Sequence, residues 1–499
     1  MDNAVHRQNG RITAGQALLT AIVFGLIVSV PHLLLTELRS GDETRVAGIA
    51  AEMFFENDFL VPRLGGKPFL EYPPLCYQLM AGAFRSFGVT DAAARLPSVL
   101  FAVGGMVVTL LFGLRLKLSP GFALLGALML GSSAQYYGNT GKCTVDMQLA
   151  FFIVLAVYAF YAFATAAKWP ARCGWLFLAL LGFTGGIYTK GLLGVALPGV
   201  VLGFWILVGD FRDRKFSPVR YLLLALLGIA ALGLAAFWYR HIGLTLGEEA
   251  WRETLITQNF GRFSGQQGDH VTPWYYYLAK LPELFQPYLL ILLPSLWYGV
   301  RQYRKKEADG LLLPVIFVLL PFLLLSISAG KRTVYLLMLA APCALTCAIG
   351  CRALAERLPE RLRSARFAAL PPAGRIALAL GYAVLLAAGN VVYNFSIESD
   401  SLRPCFERGK ELEAQGFRLK LVRPPERTVG AACYYLLRVL PQLDCRPERP
   451  QPGEALIFRT RQPVPGAEPF ADRHCIWAGA APDSAEKSSQ QLPNKGQNL

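Results

Sequence analysis

Residues 41–74 read GDETRVAGIAAEMFFENDFLVPRLGGKPFLEYPP, and the fold follows from where this polar stretch sits. Before it lies an apolar run over 17–35 that is long enough to cross a bilayer. No small-residue cleavage site follows that run, so it reads as a retained span rather than a signal peptide. After the stretch, most of the chain is apolar. Inside it, Val46, Ile49, Ala50, Met53 and Phe54 recur at helical spacing on one face, the pattern of a short helix lying along a membrane surface. Asp42 stands where that helix would be capped, and Pro73-Pro74 opens a second apolar segment over 75–87 that is expected at the interface.

The 499 residues are 54% hydrophobic and 17% charged, with mean hydropathy +0.38. That is more apolar and less charged than a soluble domain, so the chain reads as a polytopic α-helical membrane protein. A net charge of +15 does not point to nucleic acid. The basic residues collect in runs between apolar spans, such as Arg212/Arg214/Lys215/Arg220 and Arg301/Arg304/Lys305/Lys306, as cytoplasmic loops do. Eleven spans are expected, at 17–35, 96–114, 121–137, 147–167, 174–188, 191–208, 221–238, 284–300, 311–328, 334–350 and 376–395. With the N-terminus inside, the inner segments hold twenty Lys/Arg in roughly 75 residues against fourteen in roughly 120 for the outer ones, which favours that orientation.

The organisation expected is a cytoplasmic tail at 1–16 and a transmembrane domain at 17–395, whose outer loops at 36–95 and 239–283 are periplasmic in a bacterium. A small periplasmic α/β domain at 396–482 and a polar, disordered tail at 483–499 complete it. The α/β domain is read from a helix near 406–415 and strands at 418–422 and 455–458. It carries Cys405, Cys433, Cys445 and Cys475, which form either up to two disulfides or four buried thiols.

Asp42 and Glu43 lie just beyond the first span, where a carboxylate can serve as general base to an incoming hydroxyl or simply cap a helix. Asp146, in NTGKCTVDM, falls at the outer end of the fourth span. Two aspartates on one face suggest a shared site; a lone boundary residue is the plainer alternative for Asp146. Arg45, Arg63, Lys67, Lys142, Lys190, Arg262, Lys331 and Arg332 crowd the outer face, which normally avoids cations. A phosphate at headgroup level is the partner such a cluster suits, with generic anchoring to lipid heads as the alternative. The loop QNFGRFSGQQGDHVTPWYYYLAKLPELF at 258–285 adds Arg262, His270 and an aromatic run suited to an interfacial belt. Glu71 and His270 are the residues a divalent metal would use, although two ligands do not define a site and none is required by the chemistry. Cys343, Cys347 and Cys351 form a small-residue stripe fitted to helix packing.

DETR after the first span, then VPRLGGKPFLEYPP and ARLPS, resembles bacterial GT-C-type glycosyltransferases. The resemblance is to the 4-amino-4-deoxy-L-arabinose lipid A transferases and, further off, the protein O-mannosyltransferases. It extends over about 17–350 through GKCTVDM, TKGLLGVALP, NFGRF, HVTPWYYY and GKRTVYLLMLAAPCAL. It implies transfer of a sugar from undecaprenyl phosphate, with inversion, to lipid A, a glycan or a protein at the outer face of the inner membrane. Carried over, Asp42, Glu43 and Asp146 become the catalytic acids. Arg45, Lys67, Tyr72, Arg262, Lys331 and Tyr335 become the candidates for holding the lipid phosphate. This chain has Glu71-Tyr72-Pro73 where relatives commonly read Glu-Lys-Pro, so a phosphate-binding lysine is missing there. It has Thr257-Gln258 where relatives often carry an acidic residue and a histidine, which weakens a metal site at Glu71. A multi-span transporter is the rival class. It would place charges at the bilayer midplane, whereas these gather at one face.

Overall fold

A computed structural model describes residues 12–39, 41–261, 272–304, 311–357, 370–396, 401–444, 450–460, 464, 466–470 and 474–479. The chain opens with α1 (Ala14–Leu34), α2 (Asp42–Glu56), the hairpin strands β1 (Arg63–Leu64) and β2 (Lys67–Pro68), α3 (Leu75–Phe87) and α4 (Asp91–Arg115). There follow α5 (Pro120–Ser132), α6 (Ala134–Thr140), α7 (Asp146–Thr165), α8 (Trp169–Lys190), α9 (Leu193–Asp213), α10 (Pro218–Leu246) and α11 (Glu248–Arg252). Next come α12 (Tyr276–Phe285), α13 (Leu289–Arg304), α14 (Leu312–Ile327), a 3₁₀ stretch at Thr333–Leu339, α15 (Ala340–Arg357) and α16 (Pro372–Ser396). The C-terminal region holds α17 (Arg403–Ala414), β3 (Arg418–Val422), α18 (Glu426–Leu436), β4 (Gln442–Leu443), β5 (Glu454–Arg459), β6 (Glu468–Pro469) and β7 (His474–Ala478).

The fold is that of a polytopic helical membrane protein carrying a sheet-containing C-terminal region. Among the described residues, eight helical stretches are long and apolar enough to cross a membrane: α1, α4, α7, α8, α9, α10, Thr333–Arg357 and Pro372–Tyr393. The apolar helices α5 and α14 are shorter. Two expected spans are interrupted, and a third stays continuous but starts in another helix type. The one at 121–137 breaks into α5 and α6 at Ser133, whose backbone is extended and whose hydroxyl and N–H both bond to Leu130 O, ending the helix locally. The one at 284–300 falls across the gap between α12 and α13, and the one at 334–350 begins as the 3₁₀ stretch before α15.

Two compact units are present. The first comprises Met1–Leu35, Leu70–Cys76 and Arg95–Asn394. In it α1 starts from a capping box, with Thr13 Oγ1 accepting from Gln16 N and Gln16 Oε1 accepting from Thr13 N. Consecutive helices pack through glycines: a Cβ on Gly182 of α8 would come within 2.7 Å of the Ala156 backbone nitrogen in α7, and Gly186 lies against Gly194 of α9. Large apolar side chains on α10 and α16 are exposed, including Phe237 and Leu385, which suits helices whose outer faces meet lipid.

The second unit comprises Thr36–Phe69, Tyr77–Ala94 and Phe395–Leu499, so the first loop and the C-terminal region fold together. Its five-stranded mixed sheet has the order β4-β3-β5-β7-β6. The strand β3 runs parallel to β4 and β5, and β7 runs antiparallel to β5 and β6. Val422, Leu456, Phe458 and Cys475 form a core on this sheet. Helix α2 crosses α18 backbone to backbone: a Cβ on Gly48 would sit 2.3 Å from Gly430 O. Asp91 ties the unit further, accepting from Arg403 at 2.7 Å and from the Tyr434 hydroxyl at 2.8 Å.

Candidate active site

Helices α7 and α8 form a hairpin, which returns the end of α8 to the start of α7. Asp146 is the first residue of α7 and Lys190 the last of α8. Each charge therefore complements its own helix dipole, the carboxylate at a positive N-terminus and the ammonium at a negative C-terminus. They meet across 2.5 Å, both about nine-tenths buried. Two ring faces complete the surroundings of the ammonium: Lys190 Nζ lies 5.4 Å from the ring centroid of Tyr72 and 4.7 Å from that of Tyr335. All four residues belong to the first unit.

The segment carrying Tyr335 is held in place by a ladder of hydrogen bonds. Tyr277 OH donates to Arg332 O and accepts from Arg332 N, while Tyr276 OH pairs with Thr333 Oγ1 at 2.8 Å. Gln135 Nε2 reaches Thr333 O, and Lys331 Nζ donates to Thr272 O at 3.0 Å. Burial lowers the Lys331 pKa from its ordinary value. A buried ammonium has three donors, and with one on Asp146 it can offer the others to an anion without giving up its counter-charge.

The second unit holds the other acids. Gly41, with φ 112°, takes the position before α2, and Asp42 is the first helical residue. Asp42 thus stands one residue past the capping position expected for it. Its Oδ1 accepts from Arg45 Nη2 at 2.9 Å, and Arg45 Nη1 donates to Glu426 at 3.0 Å. Glu43 accepts from Arg39 N at 3.0 Å. Glu52 anchors the β1–β2 turn, taking the N–H groups of Gly65 and Gly66 at 2.7 and 2.8 Å. Both glycines have positive φ, the conformation that lets adjacent amides converge on one carboxylate. Burial raises the pKa of Glu52, against the pull of these two amides.

Of the residues singled out in the sequence, Asp146, Tyr72 and Tyr335 come together, and Asp42 and Arg45 form a second group within the other unit. Lys67 is exposed on β2, and Glu71 is half-buried. Arg262 and His270 lie outside the described residues. Among the described residues no group of three or more His, Cys, Asp or Glu gathers as a metal site would. Cys343, Cys347 and Cys351 carry no disulfide, and Cys347 Sγ meets Tyr288 O. Cys405, Cys433 and Cys475 are free thiols, and Cys445 is outside the described residues. The residues the sequence reading did not single out are Lys190, seen only as one outer cation among eight, and Glu426. The signal for Lys190 was its place at a span end, one helical hairpin from Asp146.

The family model described as dolichyl-phosphate-mannose-protein mannosyltransferase matches residues 16–244. An undecaprenyl phosphate-alpha-4-amino-4-deoxy-L-arabinose arabinosyl transferase of Pseudomonas aeruginosa is 30% identical over 372 residues, 74% of this chain and 64% of that protein. An uncharacterized protein of Aquifex aeolicus is 28% identical over 320 residues, covering 62% and 60%. The matched part thus spans under two thirds of the length of these curated relatives. Among solved structures, ArnT from Cupriavidus metallidurans bound to undecaprenyl phosphate shares the fold, with TM-score 0.73 at 19% identity over 93% of this chain and 98% of that one. The Archaeoglobus fulgidus oligosaccharyltransferase shares it more distantly, with TM-score 0.56 at 12% identity over 89% and 68%.

Proposed function

We propose that the chain is a GT-C-type transferase of the aminoarabinose transferase and protein mannosyltransferase kind, and that it moves a sugar from undecaprenyl phosphate to an acceptor at the periplasmic face of the inner membrane. The proposed donor sugar is 4-amino-4-deoxy-L-arabinose or a related sugar, and the proposed acceptor is lipid A. The observation that carries this reading is the buried Lys190 ammonium, flanked by Asp146, Tyr72 and Tyr335. In such a transfer the acceptor oxygen bonds to the anomeric carbon as the bond to phosphate breaks, and the leaving undecaprenyl phosphate takes the electron pair. A cation at that phosphate stabilises the charge as it develops. Lys190 supplies a lysine where Tyr72 replaces the one expected from the resemblance, with Lys331, Arg262 and Lys67 as further candidates. Asp42 is the candidate base for a hydroxyl acceptor; toward an already ionised lipid A phosphate it would orient the nucleophile.

The match of residues 16–244 to the mannosyltransferase model favours one second reading, transfer of mannose to protein. Both are tested by incubating the purified protein in lipid nanodiscs with undecaprenyl phosphate carrying either sugar and with lipid A or a Ser/Thr peptide. Mass spectrometry is expected to find the aminoarabinose increment on lipid A. A mannosyl peptide instead would establish the second reading, and uptake of solute into proteoliposomes with no product in any pairing would overturn both.

A further inference from the structure

We propose that Glu426, in the C-terminal region, is a positioning residue for Asp42 that acts through Arg45; the proposal rests on the reading of Asp42 given above. One guanidinium spans two carboxylates, with Nη2 on Asp42 and Nη1 on Glu426. Its flank lies by Phe69, with Cζ 5.5 Å from the ring centroid. The Arg45 side chain is only 15% exposed, although its two carboxylate partners are 44% and 60% exposed. An isolated pair three residues apart on a helix is weak and leaves both side chains room to move. The second carboxylate removes that freedom from Arg45.

Glu426 can do this because its own place is fixed. It is the first residue of α18, where the helix dipole favours a carboxylate. Helix α18 is locked to α2 by the Gly48–Gly430 backbone contact, and Thr44 Oγ1 donates to Arg427 O at 3.1 Å. Arg45 and Glu426 therefore stand on two helices with little play between them. With one arm of its guanidinium on each carboxylate, Arg45 is engaged by protein partners, which disfavours a phosphate there. The C-terminal region thereby becomes part of the catalytic apparatus, and the resemblance-derived role of Arg45 passes from the lipid phosphate to the carboxylate.

The full-length protein in nanodiscs, given undecaprenyl-phosphate-linked 4-amino-4-deoxy-L-arabinose and lipid A, tests this. Glu426→Gln is expected to lower kcat about tenfold while KM for the donor stays within about twofold, since a misplaced group costs turnover rather than binding. Glu426→Asp should recover most of the loss, and Glu426→Gln should add nothing in an Arg45→Ala background. Asp42→Asn should lower kcat further than either. Wild-type kcat in Glu426→Gln while Asp42→Asn is impaired overturns the proposal alone, as does an equal loss from Glu426→Gln with and without Arg45. Full activity in Asp42→Asn overturns the reading of Asp42, and the proposal with it.

Discussion

Replacing Lys190 with methionine separates what the buried ion pair does for the fold from what the ammonium does for a phosphate. Both members of the pair are buried, with side chains 6% and 11% exposed. Lys190→Met leaves the Asp146 carboxylate buried without its counter-charge, which costs about 3–5 kcal/mol of stability. Replacing both members, as Lys190→Met with Asp146→Leu, removes the uncompensated charge and is near neutral by the same reasoning. Binding behaves differently. A charge-assisted hydrogen bond to phosphate is worth about 1.5–3 kcal/mol, so either variant should bind undecaprenyl phosphate about 10- to 150-fold more weakly. Thermal unfolding and native mass spectrometry with undecaprenyl phosphate in nanodiscs read the two quantities on the same samples. A single variant as stable as wild type refutes the buried-pair argument. A double variant that binds undecaprenyl phosphate as tightly as wild type refutes the role of the ammonium.

Tyr335→Phe keeps the ring face over Lys190 and should leave undecaprenyl phosphate binding within about twofold, whereas Tyr335→Ala removes about 0.5–2 kcal/mol of cation–π attraction and should loosen the ammonium measurably in the same assay. Gly48→Ala forces a methyl against Gly430 O, and thermal unfolding should show a loss of about 1–3 kcal/mol or more; an unchanged melt would deny the backbone-to-backbone crossing of α2 and α18. Glu52 has its pKa raised in the fold, chiefly by burial, so its contribution to stability is fully present below about pH 4.3, its ordinary value, and is lost as pH rises through the raised value. Glu52→Gln should abolish that dependence in pH-resolved melts, and a wild-type stability that rises across the same window would contradict it.

Local patterns were legible in the chain and long-range ones were not. The apolar spacing from Val46 to Phe54 announced α2, and the runs at 418–422 and 455–458 announced β3 and β5, because each is set by neighbours a few residues away. The capping position expected at Asp42 lies one residue earlier; Asp is a good cap, and nothing local says that Gly41, at φ 112°, takes that position instead. The partnership of Arg45 with Glu426 spans 381 residues, and no periodicity encodes it. Asp146 was recognised as a candidate, yet its counter-charge lies at the far end of the next helix. Only the length of the hairpin, not any motif in it, says which cation arrives beside it.

The proposed activity is the movement of a sugar from a polyprenyl phosphate onto an envelope acceptor. Mass spectrometry of lipid A from a deletion strain, complemented with wild type or with the Lys190→Met/Asp146→Leu variant, tests it most directly. A pentosamine increment is expected that disappears on deletion, returns with wild type and stays absent with the variant. Lipid A and envelope glycans unchanged by deletion, or an increment restored in full by the variant, would contradict it.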